Sequence, residues 1–360
     1  MKKKRIIFFG IFQFVELAIL LLIYHLLANG LQDQQMADRW SEKNDAAQVS
    51  CFFSADANVT EDTILEFEHN LDKALQEASI TSQSERPEAR LWADAYSANG
   101  KITISYNNNS IESDAIGIGS DFFLFHPMHL RTGSFFSGKD VNKDYCVIDE
   151  DMAWQLFGSN DVDGMVVYIG GEPHIVTGVV ERPRGRMESA AGLRKTVVYV
   201  SYETLLKQNE NTLINHYEIV MPNPVSKFAL NLVRERMGDD EQNVEIHENS
   251  SRFAPINILR VIAAFGTRSM NGRAIIYPYW ENLARGTEDW LAVILFLILG
   301  NLLFFLILGI VIIVRWWKHK TWTLKSIFLK CKDKWERYLE RLREKRKRKN
   351  EDDDYFEETF

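Results

Sequence analysis

Two apolar runs, one near each end of the chain, constrain this sequence more than any other feature. Ile6 to Ala28 gives about 23 residues and Trp290 to Val314 about 25. A helix rises about 1.5 Å per residue, so either run can cross a hydrocarbon layer about 30 Å thick. The first run follows Lys2-Lys3-Lys4-Arg5, a start it shares with secretory signals. Its apolar stretch is longer than a signal core, and no small-residue cleavage pattern follows. The sequence therefore predicts a retained anchor.

Charge orients the chain. Lys2 to Arg5 precede the first run, and Arg315, Lys318 and Lys320 follow the second beside Trp316 and Trp317. Cytoplasmic flanks concentrate Lys and Arg, so both termini are expected inside and residues 29–289 outside the plasma membrane. That middle segment carries 23 Lys and Arg against 39 Asp and Glu, about −16. The basic residues sit where membrane topology needs them, which argues against a nucleic acid partner and for lipid. Of three cysteines, Cys51 and Cys146 fall outside and Cys331 inside. A domain this large does not require their pairing, and the sequence leaves that pairing open.

The outer segment reads as α+β. Asn29 to Asp45 is a polar stem or linker. Gln48 to Phe53 reads as a strand, and Asn58 to Ala78 as a helix with Thr60 as N-cap and Ile64, Phe67, Leu71 and Leu75 on one face. Leu91 to Tyr96 and Lys101 to Tyr106 read as paired strands around Ala98-Asn99-Gly100. Tyr145 to Asp149 is a strand and Glu150 to Phe157 a helix stopped by Gly158. Val166 to Ile169 and His174 to Val180 form a hairpin around Gly170-Gly171, and Thr196 to Val200 is a further strand. A strand–helix–strand pattern returns at His216 to Met221, Ser226 to Met237 and Val244 to Glu248. Two α/β half-motifs flanking a β-rich insert predict a split βαβ-type unit with a second lobe inserted. Ile256 to Phe265 and Tyr277 to Asp289 read as a helical stem leading into the second span. After that span, Leu324, Phe328, Cys331, Trp335, Tyr338 and Leu342 repeat at heptad spacing. Such a stripe calls for a partner helix or a membrane surface, with a solvated, frayed end beyond about residue 340.

Motifs that could carry chemistry mostly fail on inspection. Gly133-Ser-Phe-Phe-Ser-Gly138-Lys139 has most of a phosphate loop, but Asp140 stands where Ser or Thr would hold magnesium. His126-Pro-Met-His129 lacks a matching ligand set in sequence. Asp149-Glu150-Asp151 reads as a helix start whose carboxylates favour the dipole. No catalytic residue, cofactor or metal ligand is assigned, and an enzyme is not expected. Gln13 and Glu16 are the informative polar residues, because a carboxylate inside a span is costly unless a protein neighbour or interfacial water meets it. They are read as a contact for further transmembrane partners.

From Phe125 to Glu181 the chain resembles the periplasmic core domain of the MacB-like ABC transporter permeases. The matching residues are Leu130-Arg-Thr-Gly133-Ser-Phe-Phe136, Cys146-Val-Ile-Asp-Glu150, Ala153-Trp-Gln-Leu-Phe-Gly158, Asp163-Gly164, Val166-Val-Tyr-Ile169 and His174-Ile-Val-Thr-Gly-Val-Val180. The resemblance implies a porter lobe at about 46–125 and 214–250, a sabre lobe at about 126–213 and a stem at about 251–289. These lie between spans at 1–28 and 290–314, with a cytoplasmic helix and acidic tail at 315–360. Family permeases have four spans and a loop that grips an ATPase, so this two-span form is expected to be an accessory or split subunit. It would relay motion between membrane helices and outer domain, with an ABC ATPase, another permease subunit and a homo- or hetero-oligomer as expected partners. The competing reading is a two-span receptor or adhesion-type protein that signals through its tail.

Overall fold

The computed structural model describes residues 2–41, 43, 45–80, 90–238, 242–268, 274–318 and 324–357. The chain divides into two compact units, Met1–Ile298 and Leu299–Phe360, which are described separately. In chain order the elements are α1 (Lys2–Ala28), α2 (Met36–Trp40), β1 (Ala46–Phe53), α3 (Glu61–Glu77), β2 (Ala93–Tyr106), β3 (Asn109–Ser120), α4 (Phe122–Phe125), β4 (Leu130–Gly133), β5 (Tyr145–Asp149) and α5 (Glu150–Phe157). There follow β6 (Val166–Ile169), β7 (Glu172–Val180), α6 (Arg186–Ala191), β8 (Val197–Ser201), α7 (Tyr202–Gln208), β9 (His216–Pro222), α8 (Phe228–Met237), β10 (Val244–Glu248), α9 (Pro255–Ala263), α10 (Tyr279–Lys318) and α11 (Leu324–Glu357).

All ten strands join one sheet, nine in the order β10-β1-β9-β2-β3-β8-β5-β7-β4 and β6 off this path, paired with β2 and β7. The first four strands interlock two split βαβ units. β1 and β2 both run antiparallel to β9, which lies between them, and β9 and β10 both run antiparallel to β1. Helix α3 connects β1 to β2, and α8 connects β9 to β10. This is the α/β unit interrupted by an insertion that the sequence predicts. The inserted strands extend the same sheet through the parallel β3–β8 pair. Near its far end β2 also pairs with β6, Ile104 opposite Ile169. Pairing therefore runs β2-β3-β8-β5-β7-β6 and back to β2, a ring that leaves those strands without free edges.

One expectation changes. Residues 97–100 make no turn: β2 runs straight through Ala98-Asn99-Gly100, and the chain reverses at Asn107-Asn108 instead. Gly100 serves a different purpose, since a Cβ there would stand 2.7 Å from Leu205 Cδ1 and one at Gly117 2.9 Å from Leu205 Cδ2. The two glycines let α7 pack its buried Leu205 directly on the backbone of β2 and β3. Most other elements fall where periodicity placed them. Thr60 forms the capping box of α3, which buries Ile64, Phe67, Leu71 and Leu75. Asp149 caps α5 by accepting from Met152 N, and Gly158 ends it at φ 73°.

Cys51 and Cys146 are unpaired and buried in the main apolar core, on β1 and β5. Burial pushes both thiols up, that of Cys146 to about 12. Lys139 of the Gly-rich loop meets carboxylates, with Nζ 3.0 Å from Asp121 and 3.6 Å from Asp94. On the α3 face, Asp94 is fully buried and shares a hydrogen bond with Glu68. Burial raises both carboxyls, and for Glu68 the bond to Asp94 raises it further. The folded chain thus keeps a proton here that the unfolded chain releases above about 4.5. This stabilisation is complete below that pH and is lost as pH rises through the folded-state values. Glu68→Gln keeps the bond without the ionisation. Urea unfolding from pH 4.5 toward neutrality should show the wild type losing stability relative to the variant, and parallel curves would contradict the shared proton.

Candidate functional site

The sheet has two covered faces. Helices α3 and α8 cover one, and their apolar stripes join a core with Val49, Cys51, Phe53 and Ile219. The other face receives α2, α4 and the first turn of α10, through Met36, Phe122, Phe125 and Trp280. Alternation on β1 and β9 turns Gln48, Ser50, His216 and Glu218 toward this second face. In register, Ser50 lies opposite Glu218. All four are fully buried, so their polar atoms must find partners within the protein.

They find them in segments far apart in sequence. Glu218 Oε1 accepts from Ser50 Oγ at 2.8 Å and lies 3.1 Å from His216 Nε2. Its Oε2 lies 3.5 Å from Nε2 of the buried His126 and 3.4 Å from Gln48 Nε2. His126 Nδ1 is 3.1 Å from Asp33 Oδ1 in the linker after α1. Gln48 donates to the Asp33 carbonyl at 2.7 Å and accepts from Met36 N at 2.9 Å. The Trp280 ring packs 4.3 Å from the His126 ring and 5.2 Å from that of His216. Burial pushes the Glu218 carboxyl up, but the facing histidines outweigh it and hold the group below its ordinary value. The ligand atoms of His126, His216 and Glu218 all lie within 4.8 Å of one another, close enough for a shared metal ion.

A second cluster fastens the stem. Arg252, 8% exposed, makes a two-pronged contact with Glu281 of α10 at 2.6 and 2.7 Å. It reaches Glu288 at 2.6 Å and Gln34 of the linker at 3.2 Å. Arg285 pairs with Glu281 at 2.7 Å and Glu245 of β10 at 2.6 Å, lying 3.8 Å over the Tyr277 ring. Burial raises the Glu245 carboxyl, and His247, Arg285 and Tyr277 more than reverse this, holding it well below the usual range. Arg268 pairs with Glu288 and Asp289. Below these ions a small apolar cluster joins Ile258 and Val261 of α9 to Leu291, Ala292 and Leu295 of α10, with Tyr24, Leu27 and Ala28 of α1 against them. Tyr24 Oη donates to the Phe253 carbonyl at 2.8 Å. Both apolar helices are therefore tied to one corner of the domain. A cavity of about 580 Å³ opens beside it, lined in part by Asp33, Met128, Asp149, Tyr199 and Tyr279.

The predicted site residues lie elsewhere. Gln13 and Glu16 meet each other, with Gln13 Nε2 donating to Glu16 Oε2 at 2.6 Å one helical turn apart on α1. Asn301 of α10 is a further buried polar residue in an apolar run that sequence inspection passed over. On α11, Phe328, Cys331, Trp335, Tyr338 and Leu342 are exposed. Leu324 opens that helix, and its side chain lies outside the described residues. The helix runs to Glu357 and does not fray near 340, as its Lys, Arg and Glu content favours. Sequence reading saw His126 only beside His129 and missed His216 and Glu218. Their two-residue spacing on a strand was the available signal, since it puts both on one face.

These features define a class: a membrane protein in which an α/β domain of periplasmic type is held between two apolar helices. Both α1 and α10 are long and apolar enough to cross a membrane. A family model for the MacB-like periplasmic core domain matches residues 34–230, more than half of the chain. The chain belongs to that family. It is 36% identical over 85 residues to the macrolide export ATP-binding/permease protein MacB of Chromobacterium violaceum, 23% of this chain and 13% of that one. With MacB 2 of Aeromonas hydrophila it shares 28% identity over 140 residues, 38% of this chain and 22% of the relative. The match thus spans less than a quarter of these relatives' lengths. Among solved structures, the extracellular domain of the noncanonic ABC-type transporter YknZ from Gram-positive bacteria aligns at TM-score 0.36 and 18% identity, over 56% of this chain and 99% of that one. The periplasmic region of MacB from Actinobacillus actinomycetemcomitans aligns at 0.39 and 15%, over 58% and 92%.

Removing one partner of a buried ion pair costs about 3–5 kcal/mol because a charge is left uncompensated. Arg252→Ala strands Glu281 and Glu288 and should cost that much in urea unfolding of the detergent-solubilised protein. Arg252→Lys should recover only part, since an ammonium cannot make the two-pronged contact. A loss under 1 kcal/mol for Arg252→Ala would show that the clamp is not under tension from desolvated charge.

Proposed function

We propose that this protein is an accessory or split permease subunit of a MacB-like ABC-type export or mechanotransmission complex. The porter lobe (about 46–125 and 214–250) and sabre lobe (about 126–213) form its outer domain. The observation that carries the reading is the convergence of both apolar helices on one corner of the sheet. The linker after α1 and the stem of α10 share the same buried partners, Arg252 and the His126–Glu218 group. A displacement of either helix is then felt by β1, β9 and β10 directly. The cavity beside the stem leaves room for such a shift. The matched relatives are named as ATP-binding/permease proteins, which supports an ABC ATPase and a further permease subunit as partners.

The exposed apolar surfaces of α1 and of the stripe on α11 support contacts with lipid and with partner helices. Gln13 and Glu16 supply a polar handle within the first span. Mild-detergent purification of the tagged protein, followed by mass spectrometry, should recover a nucleotide-binding subunit. Glu16→Leu should reduce that recovery several-fold without changing the amount of folded protein. Recovery of neither an ATPase nor a second permease from the membranes of the source cell would defeat the proposal.

Topology follows the positive flanks: both termini inside, and the domain outside the plasma membrane. A membrane-impermeant maleimide applied to intact cells should leave Cys331 unlabelled until the membrane is opened. It should at once label Val141→Cys, a site 95% exposed on the domain. The reverse order would invert the topology.

A further inference from the structure

The buried group of His126, His216 and Glu218 is more than a hydrogen-bond network. We propose that these three residues form a binding site for one divalent first-row transition metal ion, zinc by the make-up of the ligands, that locks the linker and the start of the stem onto the sheet.

The spacing fits. Zinc bonds of about 2.0–2.1 Å in a tetrahedron set neighbouring ligand atoms about 3.4 Å apart. Here Glu218 Oε2 stands 3.5 Å from His126 Nε2 and its other oxygen, Oε1, 3.1 Å from His216 Nε2, and one ligand atom from each of the three residues lies within 4.8 Å of the others, so a small inward shift of the side chains closes the tetrahedron. Two imidazoles and one carboxylate are a ligand set that zinc accepts. Three protein ligands leave the fourth position to a water, since Ser50 Oγ is already engaged, donating to Glu218 Oε1 at 2.8 Å and accepting from Asn249 Nδ2 at 2.6 Å.

Orientation points the same way. The Asp33 carboxylate faces His126 Nδ1 at 3.1 Å, where it can accept from that nitrogen when Nε2 binds a metal. This is the outer-shell arrangement that metal-bound histidines use, and it leaves the Nε2 lone pair free to bind. Ser97 Oγ takes the corresponding place at His216 Nδ1, 3.4 Å away. His126 Nε2 is fully buried and has no hydrogen-bond partner. It stands 3.5 Å from Glu218 Oε2 with no hydrogen bond joining the two atoms. A dication between them turns each lone pair to use and balances the two carboxylates of Glu218 and Asp33.

All three ligands are fully buried, so no substrate reaches the ion and its role is structural. It joins β9 to α4 and, through Asp33, to the linker, with Trp280 of α10 stacked on the His126 ring. This goes beyond the proposed transport role and does not depend on it.

The test uses the full-length protein in detergent, carrying a histidine-free tag and never exposed to chelator. Elemental analysis should find about one zinc per chain, since binding is linked to folding. After chelator stripping, Zn²⁺ alone should raise the unfolding temperature, and Co²⁺ alone should give the visible absorption of a four-coordinate nitrogen–oxygen site. Asp33→Asn should weaken zinc binding about 10–100-fold, and His126→Ala, His216→Ala and Glu218→Gln should weaken it further. Should a variant fail to fold, cobalt binding to the stripped wild type decides. The proposal is overturned if wild type neither retains metal nor responds to Zn²⁺ or Co²⁺. It is equally overturned if the ligand variants bind zinc as tightly as wild type does.

Discussion

A guanidinium held out of water between two carboxylates resists movement more than most contacts in a protein. Any shift exposes one charge without its partner while the others remain desolvated. Arg252 is such a group, and its neighbours come from two separate parts of the chain: Gln34 in the linker, and Glu281 and Glu288 in the stem. The planar fork sets angle as well as distance, because two parallel bonds to Glu281 are lost together if the helix rotates. Around this one residue, the route out of α1 and the route into α10 are fixed to the same edge of the sheet.

The rest of the architecture makes that corner informative to the whole domain. β10, β1, β9 and β2 are consecutive in the sheet, so the residues that meet the linker and stem lie one or two strands from those that pack on α3 and α8. β2 then runs on into the inserted part, where pairing closes into a ring through β6. A closed ring has little freedom to shear, and its core is continuous with that beneath α3. The two polar clusters occupy the face that also holds the apolar contacts of Trp280 and Phe122. Covering by apolar side chains lowers the local dielectric and strengthens the ionic contacts it surrounds.

Much of the local structure was legible in the sequence, and some was not. Ile64, Phe67, Leu71 and Leu75 announced α3 because a helix buries every third or fourth residue, and Gly170-Gly171 announced the β6–β7 turn. The supposed turn at Ala98-Asn99-Gly100 misled because glycine serves two ends. It permits turns, and it also permits a neighbour to pack on bare backbone, as Leu205 does here. Nothing local separates these uses. The histidines show the same limit from the other side, since His126 and His129 were read as a pair and the fold parts them.

The sequence by itself determined that the chain has two membrane-length apolar runs, that an acidic mixed α/β segment lies between them, and that this segment belongs with the MacB-like periplasmic core domains. These follow from quantities that add along the chain: hydropathy, charge and short-range periodicity. Only the tertiary structure decided that His126 would meet His216 and Glu218, that Arg252 would meet Glu281 and Gln34, and that β9 would slip between β1 and β2. Such meetings join residues tens to hundreds of positions apart. They are selected by how the sheet orders its strands and which face each strand then offers, and no window along the sequence contains both partners.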